Sequence, residues 1–428
     1  MNAADGMRTR QRAARLIDRA VIEGLPLEEG AAALAGLAPS ERAEALRLAR
    51  STLRHLGRAD AVLDEMLRKK PPAPVRNLLR LGTTEILAEG GAPHGVCNAM
   101  VGIARSGGRR TAPYAELVNA VMRKVPAARP TWEKAGPTRL PPWLSGKVRK
   151  AFGRAAVRRI EAAHERGAPI DITPHPHEDA SALAETLGGE LLPTGSIRLR
   201  RKGRITALPG HDAGRWWVQD AAAALPARLG GEVAGRRVLD LCAAPGGKTM
   251  QLAAAGADVT AVDISARRLE RLAENLARIG SRAEIVATDA LDFTTETPFD
   301  MVLLDAPCTA TGTIRRHPEL PFVRREADVA PLVDLQRRLG RHAASLVAPG
   351  GRLVLATCSL LPEEGEAWAE AFGAEFPDWR PVPLDMPALG LDPAWSPAEG
   401  QIRLRPDYWP ERGGMDGFFV AVFEKPAS

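Results

Sequence analysis

The sequence predicts an α/β protein in which a doubly wound core fills the second half of the chain, preceded by an all-helical domain and a small α+β subdomain. Three observations carry that assignment. From residue 216 onward, apolar runs of strand length alternate with helical stretches, the pattern of a parallel sheet covered by helices. Residues 7–125 instead repeat apolar side chains at three- and four-residue spacing, the period of an amphipathic helix. Between these regimes lie a Pro-rich tract and a stretch that mixes one basic helix with short strand-like pieces.

Taken in order, RTRQRAARLIDRAVIEG, SERAEALRLARSTLRHLGRADAVLDEML, APVRNLLRLGTTEILAEG and APYAELVNAVMRKV supply the helices of a first domain over residues 1–127. Residues 128–143 have several prolines and little periodicity, so they are expected to be a linker. Residues 144–215 join the helix LSGKVRKAFGRAAVRRIEAAHERG to the strand-like IRLRRKGRITAL as a small α+β subdomain. Over 216–428 the buried-strand candidates are RRVLDLCAAP, ADVTAVDIS, AEIVATDA, FDMVLLDAPC and GRLVLATCS, with helices such as SARRLERLAENLARIG between them. IRLRPD and GFFVAVFEK are two further candidates. Ligands of such sheets bind outside the carboxyl ends of the strands, near the point where strand order reverses. The chemistry-bearing residues of this chain fall at those ends.

Composition excludes several classes. No window approaches the roughly 18 apolar residues of a membrane span, and the start, MNAADGMRTRQRAAR, has no apolar stretch after its charges. The 4 cysteines in 428 residues cannot form a disulfide framework, and none sits in a CxxC knuckle, so a reducing cytoplasm is expected. The net charge of +6 conceals a division: residues 1–130 carry +8, 131–215 carry +6 and 216–428 carry −8. A basic first half points to a polyanion such as nucleic acid, although a solvated Arg-rich surface explains charge alone equally well.

DLCAAPGGKT at 240–249 follows the first core strand and opens a helix. A Gly-rich turn there lets backbone approach a ligand, with helix N–H groups aimed at it. Gly247, Lys248 and Thr249 match the end of a nucleoside-triphosphate loop, but Cys242 stands where its first Gly belongs, and the GxGxxG dinucleotide pattern is missing. S-adenosylmethionine remains, because its adenosine needs close backbone and a carboxylate on the ribose but brings no phosphate. Asp263, ending the second strand, is placed for the ribose, and Asp289, ending the third, for the adenine. A helix cap or turn acid is the other explanation for each.

Cys308 in DAPCTATG (305–312) ends the fourth strand and Cys358 in ATCS (356–359) the fifth, strands that are commonly neighbours in such sheets. A lone strand-end cysteine is most simply a packing residue. Two at equivalent ends suit methylation of cytosine at carbon-5, where a thiolate adds at carbon-6 to make carbon-5 nucleophilic. A base then removes the carbon-5 proton so that the thiolate can leave, and Asp305 is placed to hold the cytosine edge.

VQD at 218–220, DLCAAPGGKT, Asp263, Asp289, DAPCTATGTIRRHPEL at 305–320, TCSLLPEEGE at 357–366 and DGFF at 416–419 together resemble the RsmB/Sun family of RNA cytosine-5 methyltransferases. The resemblance implies a Rossmann-like class I S-adenosylmethionine methyltransferase core, with Cys358 as nucleophile and Cys308 assisting product release. It implies cofactor contacts at Cys242, Ala243, Ala244, Pro245, Gly246, Gly247, Lys248, Asp263, Asp289 and Asp305. DNA cytosine-5 methyltransferases attack with the PC cysteine instead, so the pair favours RNA. Gly365 departs from the family, which usually has Asn there, and is expected to alter a turn. APHGVCNAMVGIAR (92–105) and ELVNAVMRK (116–124) resemble the helical NusB fold, and a NusB-like domain ahead of the core implies 16S ribosomal RNA as substrate. IDITPHPHED in 165–215 matches the family poorly. Transfer RNA is the alternative substrate, and a non-catalytic RNA-binding or antitermination factor the alternative role.

Arg315, Arg316 and His317 beside the PC loop, and Arg198 and Arg200 in the basic strand, are expected to touch RNA. Alternation places Arg198, Arg200, Lys202 and Arg204 on one strand face, with Arg201 between them. Trp216 and Trp217 are expected to pack rather than stack on bases, and Cys97 to pack on a helix. His175 and His177 lack further ligands, so no metal is expected. A monomer with no membrane partner completes the expectation.

Overall fold

The computed structural model describes residues 3–27, 34–200, 203 and 205–427, and the chain forms two compact units. One comprises Met1–Gly167 with Ile314–Glu326, the other Ala168–Thr313 with Ala327–Ser428. Arg201, Lys202 and Arg204 of the expected basic strand lie outside the described residues.

The first unit is built from α1 (Ala3–Val21), α2 (Pro39–Arg54), α3 (Leu56–Met66), α4 (Ala73–Leu87), α5 (Pro93–Ser106), α6 (Ala115–Lys124), α7 (Arg129–Lys134) and α8 (Pro142–Arg166). Pro39, Pro74, Pro93 and Pro142 stand in the first turns of their helices, where a missing N–H costs nothing. α4 lies at the centre against α1, α2, α3, α5 and α6, and Leu78, Leu79 and Leu81 join its core. Its two buried charges are both paired, Glu85 with Arg10 and Arg76 with Asp60 and Asp64. The tract expected as a linker holds α7, whose Trp132 is buried in this core, so only residues 135–141 are irregular. α8 is interrupted at Gly153, whose φ of 82° and ψ of 165° no helix accommodates.

The second unit begins with β1 (Ile170–Pro174), α9 (Ala180–Leu187), β2 (Gly189–Leu191), β3 (Ile197–Leu199) and β4 (Trp216–Val218). The strands form an antiparallel sheet in the order β2-β3-β1-β4. α9 starts where the Asp179 carboxylate accepts the Ser181 and Ala182 N–H groups. Trp216 packs fully buried with Ile172, Ile197 and Leu183.

There follow α10 (Leu225–Leu229), β5 (Arg237–Leu241), α11 (Gly247–Ala254), β6 (Asp258–Asp263), α12 (Ala266–Arg278), β7 (Glu284–Ala287) and β8 (Phe299–Asp305). The segment Ile314–Glu326, with the short helix α13 (Leu320–Val323), groups with the helical unit. The chain continues with α14 (Val329–Ser345), β9 (Val347–Thr357), α15 (Glu366–Glu375), β10 (Arg380–Pro381), β11 (Gln401–Leu404) and β12 (Phe418–Glu424). The large sheet runs β10-β12-β9-β8-β5-β6-β7, with β11 also on β12. β7, β6, β5, β8 and β9 are parallel, and β12 is antiparallel to β9. Alternate side chains serve opposite faces: Leu353 and Leu355 of β9 pack with α14 and α15, and Val354 and Ala356 with α10. This is a Rossmann-like sheet. Strand order reverses at β5, between β6 and β8, and that is where the expected site residues converge.

Candidate active site

The loop from β5 to α11 is shaped by its backbone. Cys242 has a φ of 61° and Gly246 one of 102°, a left-handed conformation that favours glycine. A Cβ on Gly246 would also lie 2.7 Å from Leu272 Cγ, so glycine is required there twice over. The Ala244 N–H donates to Asp263 Oδ2 at 3.1 Å and the Ser265 N–H to Asp263 Oδ1 at 2.9 Å. Asp263 therefore ties the loop after β5 to the start of α12, with Arg268 3.7 Å away. Asp289 is half-buried and accepts the Leu291 N–H at 2.9 Å. Ile264, immediately after Asp263, stands 71% exposed. It is a large apolar side chain left open to solvent at the carboxyl end of β6, a position that exposure in the structure discloses and the sequence does not.

The charges of this cradle are nearly balanced. Asp240 is fully buried, accepts the Thr249 hydroxyl at 2.6 Å through Oδ2, and has no partner for Oδ1 among the described residues. Burial pushes its carboxyl up to about 7, with Asp305 and Asp263 adding to the rise. Burial and the same three carboxylates push the Cys242 thiol up to about 12. Lys248 and Arg268 match Asp305 and Asp263, so only the ionised fraction of Asp240 is left over. No surplus positive charge remains for a polyphosphate, whereas a nucleoside without phosphate suits the cradle.

Cys308 and Cys358 follow neighbouring parallel strands, and their Sγ atoms lie 3.5 Å apart. Cys308 comes three residues after β8 ends rather than at its terminus. It is buried, and its thiol is held well above the ordinary range by its hydrogen bond with Cys358 and by burial. Cys358 is half-buried. Beside it, Lys248 Nζ donates to Asp305 Oδ2 at 2.7 Å. Burial lowers the Lys248 pKa, but the charge and hydrogen bond of Asp305, with further help from Asp240 and Cys358, leave it raised. The ammonium thus stays charged within electrostatic reach of Cys358.

Both cysteine loops rest on Glu364, which was visible in the sequence only as one of an acidic pair. Its fully buried carboxylate accepts the Thr309 N–H at 2.9 Å, the Thr309 hydroxyl at 2.5 Å, the Ser359 hydroxyl at 2.6 Å and Gln336 Nε2 at 3.1 Å. Thr309 follows Cys308 and Ser359 follows Cys358. Gly365 then passes beneath Arg403: a Cβ there would lie 2.1 Å from Arg403 Nη2 and 2.9 Å from Phe419 Cγ. Arg403 itself pairs with Glu366 through two hydrogen bonds and lies 4.9 Å over the Phe419 ring.

Several expected RNA contacts need correction. Arg198 is only 4% exposed, and its guanidinium donates to both carboxylate oxygens of Asp171 at 2.7 and 2.8 Å. Arg315 is fully buried in the helical unit, where Arg54 Nη2 donates to its carbonyl at 3.2 Å. Neither presents its charge to solvent. β3 stops at Leu199, so Arg200 lies beyond the strand, exposed and 3.4 Å from Glu190. Arg316 and His317 are half-buried, the latter 3.5 Å from Glu319. Trp216 and Trp217 are buried, and Cys97 is buried on α5. Among the described residues no His, Cys, Asp and Glu group of three or more is arranged to hold a metal, and no helix is long and apolar enough to cross a membrane.

A Rossmann-like sheet with a glycine-shaped nucleoside cradle and a cysteine pair at its carboxyl edge defines a class I methyltransferase core. Residues 232–424 match the profile of the 16S rRNA methyltransferase RsmB/F family, and residues 7–127 that of the NusB family. Ribosomal RNA small subunit methyltransferase B of Sodalis glossinidius is 33% identical over 370 residues, which cover 80% of this chain and 84% of the relative. Its namesake in Salmonella arizonae is 39% identical over 250 residues, 56% of this chain and 58% of that relative's length. The crystal structure of PH0851 superimposes with a TM-score of 0.74 at 26% identity and covers 99% of both chains. The chain belongs to the RsmB/F family of 16S rRNA methyltransferases.

Proposed function

We propose that the protein is an S-adenosylmethionine-dependent RNA cytosine-5 methyltransferase acting on 16S ribosomal RNA through a covalent adduct between Cys358 and carbon-6. The observation that carries this reading is the 3.5 Å approach of Cys308 and Cys358 beside the Lys248–Asp305 pair. S-adenosylmethionine, when bound, supplies an electrophilic methyl group. The residues that would hold it are Cys242 through Lys248, Asp263, Asp289 and Asp305, and the exposed Ile264 suits one face of the adenine.

Each remaining role follows from the chemistry of the side chains. The Cys358 thiolate adds to carbon-6, and the ring electron density it releases makes carbon-5 nucleophilic. Lys248 stabilises the thiolate through its charge, and Asp305 accepts from the exocyclic amine of the base. After methylation the carbon-5 proton is lost to a base and the carbon–sulfur bond breaks. Cys308, held as a thiol, donates a hydrogen bond to the departing sulfur and lowers the barrier to release. The target base must be unpaired or flipped, because a stacked base hides the face that sulfur attacks. The names of the curated relatives support ribosomal RNA as the substrate.

Incubation with 16S ribosomal RNA, total transfer RNA or DNA, each with labelled cofactor, tests the reading. Label in 5-methylcytosine of the ribosomal RNA alone is expected. Label confined to transfer RNA or DNA, or on another atom, overturns it.

A further inference from the structure

α8 carries seven basic residues against two acidic ones, and its break at Gly153 changes where they point. At about 100° per residue, Arg149 on an uninterrupted helix would lie roughly opposite Arg154 and Arg158. The non-helical backbone of Gly153 turns the second half of α8 so that all three line one open groove of about 880 Å³, joined by Arg139 from the preceding irregular segment. All four arginines are exposed, and none has an ion-pair or hydrogen-bond partner among the described residues. The acid in the groove, Glu161, is buried and spends Oε1 on the Leu140 N–H at 2.9 Å. Four guanidiniums share the groove with this single carboxylate, and a polyanion relieves the remaining repulsion between them.

We propose that this groove binds the phosphodiester backbone of RNA. It lies outside both the NusB-matching residues 7–127 and the methyltransferase-matching residues 232–424. The guanidiniums take phosphate oxygens, and Pro137, Leu140, Pro142 and Val157 supply apolar wall for ribose and base edges. The contacts are to backbone, so they give affinity and register without reading sequence. The inference rests on RNA being the substrate.

The test is equilibrium binding of a fluorescein-labelled 30-nucleotide oligouridylate to the full chain across a salt series. Arg149→Gln/Arg154→Gln/Arg158→Gln should bind about 50-fold more weakly at about 0.15 M salt, and its log–log salt slope should fall by about 2, for three lost single-strand phosphate contacts. Arg236→Gln/Arg282→Gln/Arg338→Gln removes the same charge elsewhere and should bind as wild type does. Equal losses in both variants, or none in the groove variant, overturn the groove. No binding by the wild-type chain itself would instead refute the RNA reading on which the groove depends. Unchanged thermal melting of both variants verifies the fold.

Discussion

The carboxylate of Glu364 takes both the backbone N–H and the hydroxyl of Thr309, the residue that follows Cys308. Through Ser359 the same carboxylate holds the residue that follows Cys358, so one buried acid sets the separation of the two sulfurs. Glu364→Gln keeps the shape, and rotatable hydroxyls can accept from the new amide, so it should cost only about 1–2 kcal/mol. Glu364→Leu strands the Thr309 N–H and takes from the Gln336 amide one of its two bonds, leaving the one to the Pro307 carbonyl, and should cost roughly 3 kcal/mol in urea unfolding. Both should lower kcat more than they raise the KM for cofactor; an unaffected kcat would show that the loops hold without it.

Arg198 bears on stability rather than RNA. It is one half of a buried pair with Asp171, so Arg198→Ala leaves a carboxylate stranded in the interior and should cost about 3–5 kcal/mol. Oligouridylate affinity of the folded variant should not change. A loss of RNA binding at unchanged stability would contradict this placement.

Arg198 also marks the limit of what the residues alone disclose. Alternation along IRLRR identifies which side chains share a face, but not that Asp171, 27 residues earlier, pairs with that face and closes it off. Arg315 is hidden for a similar reason: 314–326 packs within the helical unit, a relation with no local period. That Cys308 and Cys358 come together was legible, because both follow buried apolar runs that form neighbouring parallel strands. Glu364 was not, because a carboxylate next to Glu363 and two positions from Glu366 reads as surface until its four donors are seen.

Asp240 should impose a pH dependence on stability. Folding lifts its carboxyl from the ordinary 3.8 to about 7, so between those values the native state keeps a proton that the unfolded chain has released. Its stabilising effect is complete below about 4 and is lost as pH rises through 7, on the order of 4 kcal/mol in all. Asp240→Asn should flatten the stability profile between pH 4 and 7 relative to wild type. Identical profiles by denaturant titration would contradict the assignment.

Gly365 should tolerate Asn poorly. The added Cβ meets Arg403 Nη2 and the Phe419 ring, and such overpacking should cost about 1–3 kcal/mol. Arg403→Ala removes one of the two obstacles, so Gly365→Asn should cost less in that background. Additive losses in thermal melting would mean that the two residues do not compete for space.

The central claim is that Cys358 attacks and Cys308 releases, and covalent trapping tests it most directly. Cys308→Ser is incubated with total cellular RNA and S-adenosylmethionine, resolved on a denaturing gel, and any attached RNA is sequenced. A slow band carrying 16S ribosomal RNA should form and should vanish in Cys308→Ser/Cys358→Ala. A band that persists in the double variant would contradict attack by Cys358.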